Sequence, residues 1–151
     1  MGIICNYERR GVFYEHIDAA DILHDLKRLL KNEDPNIRSK ACSAIGNMCR
    51  HSSYFYASLA KHEIIAIIID LCGDSDKRTK KFACFAVGNA AYHNECLYDE
   101  LKAVIPELRN VLVSDVEDKT KGNAAGALSN LVRNSGRLCE DIVSQGALQW
   151  S

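Results

Sequence analysis

The stretch ACSAIGNMCR (Ala41–Arg50) is echoed twice, as ACFAVGNAAY (Ala83–Tyr92) and AAGALSNLVR (Ala124–Arg133). In each, apolar residues recur at i, i+3, i+4, i+7 and i+8. The sets are Ala41, Ala44, Ile45, Met48 and Cys49, then Ala83, Ala86, Val87, Ala90 and Ala91, then Ala124, Ala127, Leu128, Leu131 and Val132. That spacing marks one face of a helix, and its small members let neighbouring helices approach closely. Asn47 and Asn89 stand 42 residues apart, and Asn89 and Asn130 stand 41 apart. A fixed period of this size is the signature of a helical solenoid.

The register extends on both sides of the asparagine. Eight residues downstream stand Phe55, Leu97 and Leu138, and twelve downstream stand Leu59, Leu101 and Ile142. Eighteen upstream are Leu29, Leu71 and Leu112, and thirteen upstream an acidic residue recurs at Asp34, Asp76 and Glu117. The acidic turns around those positions, NEDPN, GDSDK and SDVEDK, supply helix caps and first-turn carboxylates. Before each turn a second helix is expected, carrying Ile22, Leu23, Leu26, Leu29 and Leu30, or Ile64, Ile65, Ile68 and Cys72, or Ile105, Leu108, Val111 and Leu112. A short helix, YFYASLAKH (Tyr54–His62), CLYDELKA (Cys96–Ala103) or LCEDIVSQ (Leu138–Gln145), completes the unit.

Short, medium and long helices at this period resemble the armadillo repeat, and IPELRNVL (Ile105–Leu112) and AAGALSNLV (Ala124–Val132) come close to its second- and third-helix consensus. The expected fold is an all-α, armadillo-type right-handed α-solenoid of three-helix repeats, with a HEAT-like stack as the alternative. Residues 1–19 are expected to form an N-terminal cap or partial helix, and residues 20–50, 51–93 and 94–134 the repeats. A partial unit over 135–151 begins a further second helix at Ala147. A stack cut there exposes apolar surface, so self-association through the truncated end near Trp150 is expected.

In armadillo proteins such as the nuclear-import adaptors, the third helix lines a concave groove and its asparagine bonds the backbone of an extended peptide. By that resemblance, Asn47, Asn89 and Asn130 form a ladder, since an amide both donates and accepts. The alternative is that each asparagine bonds its neighbouring repeat and sets the packing. The import adaptors carry tryptophan four residues before the asparagine, where this chain has Ser43, Phe85 and Gly126. That departure tells against a nuclear-localisation-signal receptor and makes Phe85 with Asn89 the best candidate for a pocket. Arg50, Tyr92 and Arg133 follow one turn later on the same face, and Lys77, Arg78, Lys80, Lys81, Lys119 and Lys121 lie further back. Such a stripe suits an acidic or phosphorylated peptide; a merely solvated helix start is the plainer alternative.

Other chemistries find little to work with. With 19 basic and 20 acidic residues the formal net charge is -1, which argues against nucleic-acid binding by bulk attraction. Seven cysteines without a CxxC spacing fit a reducing, cytoplasmic setting in which cysteine serves as a small core residue. IIAIIID (Ile64–Asp70) is far short of the roughly 20 apolar residues of a membrane span, so no membrane role is expected. Gly2 stands where a myristoyl group attaches, but Asn6 occupies the position that requires Ser or Thr. His51 and His93 recur on neighbouring units and are expected to cap helix ends, because no His or Cys cluster converges on a metal. No phosphate-binding glycine loop, nucleophile elbow or kinase signature is present. Neither catalysis nor a cofactor is expected of these residues.

Three longer segments, Ile37–Ile65, Asp76–Leu101 and Glu117–Leu148, resemble the C-terminal armadillo region of Fused-type serine/threonine kinases. The resemblance implies a protein-interaction or scaffolding region appended to a kinase domain, to which ATP and magnesium would belong. Family roles span Hedgehog signalling and cilium assembly in animals and cytokinesis in plants, implying a cytoplasmic protein associated with the cytoskeleton or cilium. A purely structural spacer or oligomerisation segment is the competing expectation.

Overall fold

A computed structural model describes residues 21–114 and 116–134. Among them every regular element is a helix. The first unit contributes α1 (Ile22–Leu30) and α2 (Pro35–Arg50), and the second α3 (Tyr56–Lys61), α4 (Ile64–Leu71) and α5 (Lys77–Ala90). The third contributes α6 (Tyr98–Leu101), a 3-10 turn (Lys102–Val104), α7 (Ile105–Val113) and α8 (Asp118–Asn134). The short, medium and long order expected from the sequence is therefore seen in the second and third units. The N-terminal segment 1–19, the partial unit 135–151 and Trp150 lie outside the described residues.

The long helices stack side by side, α5 packing against α2 on one flank and α8 on the other. Their small residues make this possible: Ala41, Ala83, Ala86, Ala124 and Ala127 are all buried. A Cβ on Gly88 would lie 3.7 Å from the Ala127 backbone, an ordinary contact across a close helix pair. Leu23, Leu26, Leu30, Ile64, Ile65, Ile68, Ile105, Leu108 and Val111 of the medium helices close the core from the other side, and Phe55, Leu59, Leu97 and Leu101 seal it at the short helices. Cys42, Cys49, Cys72 and Cys84 are buried, whereas Cys96 is exposed. Burial, with the nearby Asp74 carboxylate, pushes the Cys42 thiol up to about 12. A hydrogen bond with Cys84, together with burial, holds Cys72 well above its ordinary range.

The first two acidic turns cap their long helices. Asp34 accepts from the Asn36 N–H (2.9 Å). Asp76 Oδ2 accepts from the Thr79 N–H (2.8 Å) and hydroxyl (2.7 Å), and these bonds hold its carboxyl below the usual range. Arg38 ties successive turns together, donating to the Asn32 and Glu33 carbonyls (2.9 Å each) and pairing with Asp74 of the next unit (3.1 Å). Asp21 (φ 57°) and Glu63 (φ 62°), 42 residues apart, start the medium helices in left-handed backbone. In the third unit the 3-10 turn, leading into Pro106 of the first turn of α7, replaces that left-handed residue.

Candidate functional site: the face of the long helices

The asparagine column is the sequence feature that most needed coordinates. Asn89 Nδ2 donates to the Gly46 carbonyl (2.9 Å), and Asn130 Nδ2 to the Gly88 carbonyl (2.9 Å). Each amide thus crosses to the preceding long helix, as the packing alternative expects. Asn47 occupies the matching position on α2, half-buried beside Gly46.

A second ladder was missed in the sequence. The Tyr56 hydroxyl donates to the backbone carbonyl of Asn89 and accepts from the His93 N–H (3.2 Å). Tyr98, its equivalent 42 residues on, places its hydroxyl 3.2 Å from the Ala91 carbonyl and 3.3 Å from that of Asn130. These buried tyrosines add a donor from the short helix to carbonyls near the ends of the long helices, and that of Asn89 also accepts from the Tyr92 N–H (3.3 Å). Burial pushes both phenols up, so they remain neutral donors. Their common spacing within YFYASLAKH and CLYDELKA was the available signal.

Phe85 lies half-buried one turn before Asn89, its ring edge-on to Phe82 (centroids 6.4 Å apart, 79° between planes). A Cβ on Gly46 would stand 2.4 Å from two Phe85 ring atoms, so the ring fills the space that this glycine leaves. On its other side Phe85 borders a recess of about 500 Å³ shared with Lys81, Phe82, Lys119, Gly122 and Asn123. A smaller hollow continues from it along Gly88, Asn89, Gly126 and Asn130. The structure therefore brings Phe85, Asn89 and Asn130 to one groove.

At the helix ends Arg133 Nη2 donates to the Tyr92 carbonyl (3.1 Å), and its guanidinium lies 4.4 Å from the centroid of the exposed Tyr92 ring. The Arg50 carbonyl accepts from His93 Nε2 (2.9 Å), which fixes the proton on that nitrogen, and the Arg50 side chain is exposed. His51 is the C-cap residue of α2. Both histidines thus serve helix ends, and among the described residues no group of three or more His, Cys, Asp or Glu could hold a metal.

At the opposite end of the long helices, α5 opens on Lys77, Arg78, Lys80 and Lys81, with no acidic residue in its first turn. Cations there oppose the helix dipole, so helix stability does not account for them. Arg78 donates to Asn36 Oδ1 (3.3 Å) and Lys81 pairs with Glu117 (3.2 Å). Among the described residues no helix is long and apolar enough to cross a membrane.

Comparison with known proteins agrees with this architecture. The HEAT repeat family matches residues 22–52, which span α1 and α2. The chain is 66% identical over 137 residues to serine/threonine-protein kinase TIO of Arabidopsis thaliana, a match covering 91% of this chain and 10% of that kinase. The chain thus spans about a tenth of the curated relative that it matches. A designed armadillo repeat protein solved with the peptide (KR)4 superposes with a TM-score of 0.83 at 20% identity, over 90% of this chain and 57% of that one. An engineered protein gives a TM-score of 0.88 at 19% identity, over 97% of this chain and 59% of that one. Three-helix units at a 42-residue period, stacked through their long helices and matched in these ways, make the chain an armadillo/HEAT-like repeat region, similar in sequence to part of a serine/threonine kinase.

Proposed function

We propose that this chain is a protein-interaction module that binds an extended, acidic or phosphorylated segment of a partner protein along the groove of α2, α5 and α8. The observation that carries this reading is the groove between Phe85, Asn89, Gly126 and Asn130, approached by the basic first turn of α5 and by Lys119 and Lys121, which follow Asp118 at the start of α8. Repeat stacks present such grooves for extended ligands, and lysines and arginines at a positive helix start favour carboxylate or phosphate. The designed neighbour was solved with a basic peptide; the cations here argue for a ligand of the opposite sign. Asn47, Asn89 and Asn130 contribute the backbone-facing column, with Arg50, Tyr92 and Arg133 at its far end.

The match to a kinase supports a Fused-type serine/threonine kinase as the parent, in which this region is the regulatory or scaffolding part. Catalysis, ATP and magnesium would belong to the kinase domain. Because the matched kinase is from a plant, we favour cytokinesis over Hedgehog signalling or cilium assembly as the process served, with a cytoplasmic, cytoskeleton-associated location.

The inter-repeat bonds of Asn89 and Asn130 favour a second reading, a structural spacer that holds a kinase near its substrate or joins copies end to end. Fluorescence anisotropy of the 151-residue chain against acidic, phosphoserine-containing and basic peptide pools separates the two. Binding of the acidic or phosphorylated pools, weakened by Arg50→Glu with Lys119→Glu at an unchanged melting temperature, supports the groove. Equal or absent binding of all pools leaves the spacer.

A further inference from the structure

Two glycines of α8 have no packing reason to be glycine. Gly46 faces the neighbouring helix, where a Cβ would meet the Phe85 ring at 2.4 Å, and a Cβ on Gly88 would make an ordinary contact with the Ala127 backbone at 3.7 Å. At Gly122 and Gly126 a Cβ would meet nothing within 4 Å, although glycine inside a helix is destabilising relative to alanine. Both are exposed, one helical turn apart, and both border the groove that Phe85 lines. Their lack of side chains is what keeps that groove open.

We propose that the recess between Phe85 and the bare Gly122–Gly126 face of α8 receives an aromatic side chain from an extended acidic segment of a partner protein. The inference rests on the groove reading above and adds what the groove selects. Phe82 and Phe85 supply apolar surface, and the recess of about 500 Å³ is large enough for an indole or phenyl ring. Aromatic rings gain from offset or edge contact with one another, which an aliphatic side chain forgoes.

The rim dictates the charge of the flanking residues. Lys81 and Lys119 frame the recess, and Lys77 and Arg78 continue the edge on α5, where Asp76 and Glu117 stand beside them. Lys81 is engaged by Glu117 and lies 5.2 Å from the Phe82 centroid, whereas Lys119 is exposed and has no ion-pair partner among the described residues. Asn123 is held at the recess by its bond to the Lys81 carbonyl (3.2 Å). A carboxylate next to the inserted ring would meet Lys119, with which no described acid pairs.

The test is anisotropy of the 151-residue chain with fluorescein-labelled dodecapeptides of Asp and Glu bearing a central Trp, and with the same peptides bearing Ala or Leu there or Lys flanks. The acidic Trp peptide should bind, and replacing Trp by Ala should weaken it about tenfold or more, as expected for losing a buried ring. Gly122→Leu, which projects into the recess, should weaken the Trp peptide to the level of the Ala peptide without lowering the melting temperature. Gly126→Leu, in the adjoining smaller hollow, is the second variant and should have the lesser effect, and the Trp-to-Ala comparison needs no variant at all. Equal binding of Trp and Ala peptides, with Gly122→Leu silent and Lys119→Glu harmful, overturns the aromatic recess and leaves the acidic groove standing. No acidic peptide bound at all removes both. A dimer in sedimentation that Gly122→Leu dissociates also overturns the proposal, because a second copy of the chain then fills the recess.

Discussion

Asn89 links Tyr56 of its own unit to the unit before: the tyrosine hydroxyl donates to the backbone carbonyl of Asn89, while the Asn89 side chain donates onward to Gly46 (2.9 Å). The first bond ties the short helix α3 to α5, and the second ties α5 to α2. Asn89→Ala and Tyr56→Phe should each destabilise the chain by about 1 kcal/mol, since each removes one hydrogen bond from a partly buried junction. Urea unfolding of the two single variants and the double variant checks this. If Asn89 served only a ligand, its replacement would leave the unfolding midpoint where it was.

Glycine positions on the long helices should respond in opposite directions. Gly46→Ala drives a methyl into the Phe85 ring and should cost about 1–3 kcal/mol, as overpacking does. Gly126→Ala enters open space and should stabilise by about 0.5–1 kcal/mol through helix propensity alone. Pairing Gly46→Ala with Phe85→Leu should recover part of the loss. Thermal melts of the four proteins decide the matter.

Glu63 holds a left-handed backbone at φ 62° that a Cβ makes costly, by roughly 1–2 kcal/mol. Its side chain is exposed and makes a long contact with Lys27 (3.7 Å). Glu63→Gly should therefore raise stability by up to about 1 kcal/mol, the greater freedom of glycine in the unfolded chain offsetting part of the relief. Glu63→Val should lower it. Chemical denaturation of both variants gives the comparison.

Asp76 links the fold to pH. The Thr79 hydroxyl and then the Thr79 N–H hold its carboxyl below the usual range, so the bonded form is the anion. Its contribution is complete above the unfolded value of about 3.9 and disappears as pH falls through the lower folded value. Asp76→Ala should cost about 1 kcal/mol at neutral pH, typical of a lost N-cap. The gap between variant and wild type should narrow as pH falls below the unfolded value, measured by urea unfolding across a pH series.

The helices were legible because burial imposes its period on the residues. Ala83, Ala86, Val87, Ala90 and Ala91 stand in register, and all five are buried. The acidic column at Asp34 and Asp76 announced caps for the same reason, a side chain serving its own local backbone. What Asn89 does was not legible, since an amide that bonds the next repeat and one that bonds a ligand have the same sequence. The left-handed residues Asp21 and Glu63 escaped notice because neither is the glycine that usually marks such a backbone. Phe85 was correctly singled out as aromatic, but its seat against Gly46 joins residues 39 positions apart that no single-helix pattern connects.

Four side-chain bonds from a long helix to the unit before it run in one direction. Asn89 reaches back to Gly46, Asn123 to Lys81, Asn130 to Gly88 and Arg133 to Tyr92, each about one period earlier. The tether that must be gathered to form any of them therefore stays the same length however many units follow. A chain emerging from the ribosome meets its acceptors already displayed by the helix made just before it. The closure entropy of each addition is that of a single unit, so such a stack grows as a zipper and lengthening it adds no slower step.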